Sequence, residues 1–157
     1  MLSPLDRVQN RFLREMDLNE KEAFLEYNLA PLGLRRDIAM LGLIFKSVEG
    51  NAHPNLIALF PPAGPEARSE HRTRLARRRH SRQLHDRCDG QHQELMNRSI
   101  FGLVKVFNLL PQEVVDAPSV GVFQSRLTER ARSLCRAGHP GWALHLSPRA
   151  PYYASGL

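Results

Sequence analysis

Pro111 stands between two apolar runs, and this constrains the chain more than any other feature. Before it lies Ile100-Phe101-Gly102-Leu103-Val104-Lys105-Val106, followed by Phe107-Asn108-Leu109-Leu110. After it, Val120, Phe123, Leu127, Ala131 and Leu134 recur at spacings of three, four, four and three, the core face of an amphipathic helix. Ser119 sits where an N-cap belongs, Pro118 ends what precedes it, and Gly138 falls where a helix C-cap glycine belongs. Two helices folding back on each other across the Leu-Pro break are therefore predicted. Asn108 is expected to cap carbonyls left unpaired by that break, and Phe107 and Phe123 to be core contacts rather than base-stacking platforms.

Upstream, Ser3-Pro4-Leu5-Asp6 reads as a helix start. Leu5, Val8, Phe12 and Met16 mark its apolar face, with Arg7, Arg11 and Arg14 on another. Asn19 can cap a second helix, with Phe24 and Tyr27 as its buried side. A third helix is predicted from Leu32 to Glu49, with Leu34, Ile38, Leu41, Phe45 and Val48 inward. Met40, Leu43 and Ile44 widen its apolar surface and make it the most buried helix. Leu56 to Phe60 suggests one or two further turns, ended by Pro61-Pro62-Ala63-Gly64-Pro65.

From Glu66 to Gly90 the composition changes. Arginine and histidine dominate, and Leu75 and Leu84 are the exceptions. An exposed, mobile loop is expected, then a short helix from Gln91 to Met96. The predicted fold is all-α, with five to seven helices, a long Arg-rich loop and a disordered C-terminal tail. Its divisions are an N-terminal helical group (3–60), a Pro- and Arg-rich linker (61–97), a helical hairpin packing on the first group (98–137) and a tail (138–157).

The formal net charge is +6, carried mainly by arginine. The guanidinium fork binds two phosphate oxygens at once, so an excess of arginine suits a phosphate-bearing partner such as RNA or DNA, and equally reads as a solvated basic surface. The candidate contacts are Arg68, Arg72, Arg74, Arg77, Arg78, Arg79, Arg82 and Arg87 in the loop. Arg7, Arg11, Arg14, Arg35 and Arg36 are lesser candidates. The same loop also reads as a solvated linker, and Arg77-Arg78-Arg79 as a nuclear-import patch.

His85, Cys88 and His92 lie within metal reach, but a structural zinc site wants four ligands, so no metal or other cofactor is expected. No nucleophile stands in a recognisable catalytic turn. There is no signal-peptide core near Met1 and no run long enough to span a bilayer. An intracellular chain with Cys88 and Cys135 as reduced thiols is expected, without a membrane partner.

Arg98, Phe107-Asn108, Leu110-Pro111, Glu113-Val114-Val115, Ser119 and Phe123, taken in order, carry a resemblance. The chain resembles the C-terminal region, after the polymerase, of reverse transcriptases encoded by non-LTR (LINE-type, jockey-like) retrotransposons. Members often carry Trp where this chain has Phe107. Leu34-Arg35-Arg36-Asp37 and Leu43-Ile44-Phe45-Lys46 extend the resemblance upstream, over roughly residues 5 to 135. It implies a module that holds template RNA or target DNA beside a polymerase domain, in a nuclear or cytoplasmic ribonucleoprotein. The family's polymerase needs paired aspartates, and no Asp-Asp occurs here; its endonuclease does not fit in the length either. A non-catalytic piece is therefore expected. A structural or protein-interaction helical module and a non-functional retroelement remnant are the alternatives.

Overall fold

The computed structural model describes residues 4–64, 80–87, 93–97 and 99–148. They form an all-α architecture: α1 (Pro4–Glu15), α2 (Glu20–Tyr27), α3 (Leu32–Val48), α4 (Pro54–Ile57), α5 (Gln93–Met96), α6 (Leu103–Leu109), α7 (Gln112–Val115) and α8 (Val120–Arg136). Helices α4, α5 and α7 are single turns. No strand occurs among the described residues; the sole β pairing there is an isolated antiparallel bridge between Pro62 and Leu84.

The core is built where α3 lies along α8. Leu34, Ile38, Leu41, Ile44 and Phe45 of α3 are buried against Phe123, Leu127 and Ala131 of α8 and their neighbours. The Phe45 and Phe123 rings stack with centroids 4.5 Å apart. Phe107 of α6 reaches Phe123 at 6.3 Å, so the hairpin closes through an aromatic contact. Between α6 and α8 the chain makes the extra turn α7, which buries Val114 and Val115. Gly102 has a packing reason: a Cβ there would meet the Asn97 Cα at 2.7 Å.

Local backbone chemistry sets the helix ends. The Ser119 hydroxyl accepts from Val122 N–H at 3.3 Å and opens α8. Gly138 takes φ +71°; its N–H donates to the Cys135 carbonyl and that of His139 to the Leu134 carbonyl, a Schellman ending. Asn19 and Glu22 form a reciprocal capping box at α2. Asn28, in the left-handed region, closes the same helix. At the end of α8, Cys135 rather than Leu134 is fully buried, because a spacing of four from Ala131 stays closer to the core side.

Four expectations are corrected. The face of Leu5, Val8, Phe12 and Met16 does not enter the core; all four side chains are exposed. Helix α1 is held instead by Leu13, by the Asp6–Arg36 pair at 3.2 Å and by Gln9. The Gln9 amide donates to the Ala30 carbonyl and accepts from Leu32 N–H, both at 3.1 Å, and so grips the backbone around Pro31. Tyr27, expected inward, is exposed. Residues 139–148, expected to be disordered with the rest of the tail, are packed. Trp142 stacks on Phe24 at 5.2 Å, and Leu146 is fully buried. Residues 149–157 lie outside the described residues. The fourth correction concerns residues 80–87, within the supposed mobile loop, which are docked on α6.

Candidate nucleic-acid interface

Asn108 fixes how residues 80–87 sit. Its side-chain amide accepts from Leu84 N–H and donates to the Leu84 carbonyl, each at 2.8 Å. The Asn108 carbonyl also accepts from the Gln83 amide at 3.2 Å. Asn108 thus satisfies backbone polar groups, as its residue type suggests. The groups belong to a segment 24 residues away, however, not to the proline break. Leu84 is buried beside them, which desolvates the pair of bonds.

His80 anchors the start of this strap. Its ring meets Phe107 edge-on, with centroids 5.3 Å apart. Nδ1 accepts from Arg82 N–H at 3.2 Å, so the proton resides on Nε2, which donates to the Phe107 carbonyl at 2.9 Å. Burial holds the imidazole below its ordinary range, against the pull of that carbonyl. Ser81 N–H donates to the Gln112 side chain at 2.9 Å, tying the strap to α7.

The strap closes a stem. Ala63 N–H donates to the Gln83 carbonyl at 2.8 Å, and His85 N–H to the Pro61 carbonyl at 2.9 Å. These bonds bring the two ends of the intervening Arg-rich segment together. Arg68, Arg72, Arg74, Arg77, Arg78 and Arg79 all belong to that segment and lie outside the described residues. Cys88 and His92 lie outside them as well. Among the described residues, no three His, Cys, Asp or Glu side chains are placed to share a metal ion.

The two candidate arginines within the described strap have different surroundings. Arg82 pairs with Glu49 at the end of α3 and donates to the Val115 carbonyl at 2.9 Å. It bridges α3, α7 and the strap, and so has structural work already. Arg87 is exposed, with one long contact, 3.5 Å, to the Ala58 carbonyl. Nearby, Lys105 faces Asp86 at 3.8 Å.

On α1, Arg7, Arg11 and Arg14 are exposed. Arg11 pairs with Glu15 at 2.9 Å. Arg7 and Arg14 line an open cavity of about 510 Å³ with Asn10, Leu13, Leu18 and Glu20. Arg35 is exposed at the start of α3, while Arg36 holds Asp6.

The arginines of α8, which sequence reasoning passed over, serve the fold. Arg132 donates to the Asn28 side chain at 2.7 Å and to Glu129 at 3.3 Å, with its guanidinium 5.5 Å from the centre of the Phe24 ring. Arg126 donates to the Glu113 carbonyl, joining α8 to α7. Arg130 donates to His145 Nε2 at 3.5 Å. Burial, with the charge of Arg130 and then of His139, pushes the His145 pKa down to about 4. Their spacing on one helix was visible, but their acceptors were not.

The basic groups therefore divide by use: Arg36, Arg82, Arg126 and Arg132 join elements, whereas Arg7, Arg14, Arg35 and Arg87 present charge to solvent. Comparison of the chain with protein-family models, with curated protein sequences and with solved structures finds no match.

Proposed function

We propose that this chain is a non-catalytic helical module that contacts RNA or DNA phosphates through arginine, in the manner implied by its resemblance to the C-terminal region of a retrotransposon reverse transcriptase. The observation that carries the reading is the closed stem at Pro62 and Leu84. The residues between its ends include six arginines against two glutamates in positions 65–79, so most of the chain's net charge enters from one point on the fold. The carboxylates of Glu49 and Asp86 already face Arg82 and Lys105. Neutralising phosphates with such a segment releases counterions, and the binding is sequence-blind and strongly dependent on salt.

Filter binding of single-stranded RNA and duplex DNA over a salt series tests this. Each phosphate contact contributes a slope of about −0.7 to −0.9 in log affinity against log salt. Replacing Arg77, Arg78 and Arg79 together by Ala is expected to flatten the slope by about two to three. A slope near zero for the parent chain overturns the reading. A second reading, a protein-interaction module, is favoured by a different observation, the exposed apolar face of α1.

A further inference from the structure

Ser81 stands at the start of the docked strap, and the sequence before it is unlike that before any other hydroxyl of the chain. Arg78 and Arg79 lie three and two residues ahead of it. No other serine or threonine has arginine at both positions. Ser133 has Arg130 three before it but Ala131 two before it, and it lies within α8. Paired arginines so placed are the charge pattern that one broad class of serine kinases reads with an acidic substrate groove.

The fold presents the hydroxyl but holds what flanks it. Ser81 is exposed, and its oxygen accepts from Gln112 Nε2 at a long 3.3 Å. His80 before it is 3% exposed, and Arg82 after it is tied to Glu49 and the Val115 carbonyl. A kinase takes its substrate as an extended segment, so the strap must lift before Ser81 reacts. Its docking rests on polar bonds to Asn108, Gln112 and Pro61, the kind of contact that opens locally while a sealed core stays closed.

We propose that Ser81 is a phosphorylation site for a kinase selective for arginine two and three residues ahead, and that the phosphate keeps the strap from docking again. Ser81 Oγ attacks the γ-phosphorus of ATP. The Oγ–P bond forms, the bond to the β,γ-bridging oxygen breaks, ADP leaves with that electron pair, and the hydroxyl proton passes to the kinase's aspartate. The product carries about −1.5 to −2 charges at neutral pH. Docked, it would lie against the Gln112 amide, whose nitrogen also donates to Asp116 at 2.7 Å. One nitrogen then separates the phosphate ester from a carboxylate, and like charges that close repel. Arg82 neutralises the phosphate only by leaving Glu49 and the Val115 carbonyl. Either way the strap loses contacts.

The catalytic subunit of cyclic-AMP-dependent protein kinase, with Mg·ATP and the full chain, tests the proposal. Peptide mass spectrometry is expected to find phosphate on Ser81, lost in Ser81→Ala and acquired at least tenfold more slowly in Arg78→Ala/Arg79→Ala. Gln112→Ala frees Ser81 without altering the flanking sequence and is expected to react several-fold faster; an equal rate overturns the need for the strap to lift. Hydrogen exchange at the Leu84 and His85 amides is expected to quicken at least tenfold on phosphorylation, with protection partly restored in Asp116→Asn. No phosphate on Ser81, or phosphate on Ser133 in its place, overturns the site. Unchanged exchange at Leu84 and His85 overturns the release, and so does a loss of protection that reaches α3 and α8, since the whole fold has then opened. No nucleic acid enters these measurements, so this inference and the phosphate-binding reading fail separately.

Discussion

Helices α1 and α8 look alike as sequence and end up with opposite surroundings. Both carry an apolar stripe at helical spacing, and both carry several arginines. On α8 the stripe of Phe123, Leu127 and Ala131 is sealed, and Arg126, Arg130 and Arg132 reach across to acceptors on other parts of the fold. On α1 the stripe is open, and Arg11 reaches only its own helix. Periodicity records that a helix has an apolar face; it does not record what lies against that face. The element that decides is the neighbour, and α8 has α3, α7 and Trp142 around it.

The largest expected effect comes from emptying the sealed side. Phe123→Ala removes a ring at 0% exposure that stacks on Phe45 and touches Phe107. It is expected to cost about 3–5 kcal/mol in urea unfolding, enough to unfold a marginal domain. A loss under about 1 kcal/mol would mean that α3 and α8 can repack around the gap.

Next comes the strap, whose docking is polar where that of α8 is apolar. Asn108→Ala leaves the N–H and carbonyl of Leu84 without their partners. About 2 kcal/mol is expected from denaturant unfolding, since desolvated backbone groups left unpaired cost more than a hydrogen bond gains. Asn108→Asp keeps the acceptor for Leu84 N–H but loses the donor to its carbonyl, so it should be destabilised too. A neutral Asn108→Ala would show that water replaces the amide.

Local features were legible in the sequence and distant pairings were not. Ser119, Asn19 and Gly138 act on backbone groups within five residues, so their residue types sufficed. Leu32 to Val48 was readable because its stripe is long. By contrast, Arg82 gave no sign of its tie to Glu49, 33 residues away, and was grouped with the phosphate candidates. The strap read as solvent-facing because its composition is His and Arg. Its signal was the alternation of buried His80 and Leu84 with half-buried Arg82 between them, a period of two that charge obscured. Trp142 and Leu146 lie four apart, but Pro140 and Gly141 made the region resemble a tail. Of the candidate interface, sequence located the charge, and the fold supplied the stem.

The two buried histidines provide a smaller, pH-dependent contrast between strap and tail. Each has a folded pKa below its unfolded value, so its contribution to stability is full above about pH 6.5 and is lost as pH falls. For His145 the loss extends to about pH 4, because burial disfavours the charged ring and protonation there also adds a cation beside Arg130. Protonating His80 places a hydrogen on the nitrogen that accepts from Arg82 N–H, so the strap loosens at its first residue. Urea midpoints measured from neutral to acid pH should fall less steeply in His80→Gln and in His145→Gln than in the parent. Parallel curves would remove both rings from the pH dependence.

The smallest effect is expected on the open helix. Phe12→Ala shortens a large side chain, as Phe123→Ala does, but Phe12 is 48% exposed. It contacts neither the Gln9 grip on the backbone around Pro31 nor the Asp6–Arg36 pair through any hydrogen bond, and those contacts hold α1. Ala is also the better helix former, which offsets part of the lost packing. The unfolding free energy of the dilute chain should therefore change by about 0.5 kcal/mol or less. A loss approaching that of Phe123→Ala would mean that the stripe is covered in solution even at low concentration. The contrast between the two helices would then be one of partner, not of burial.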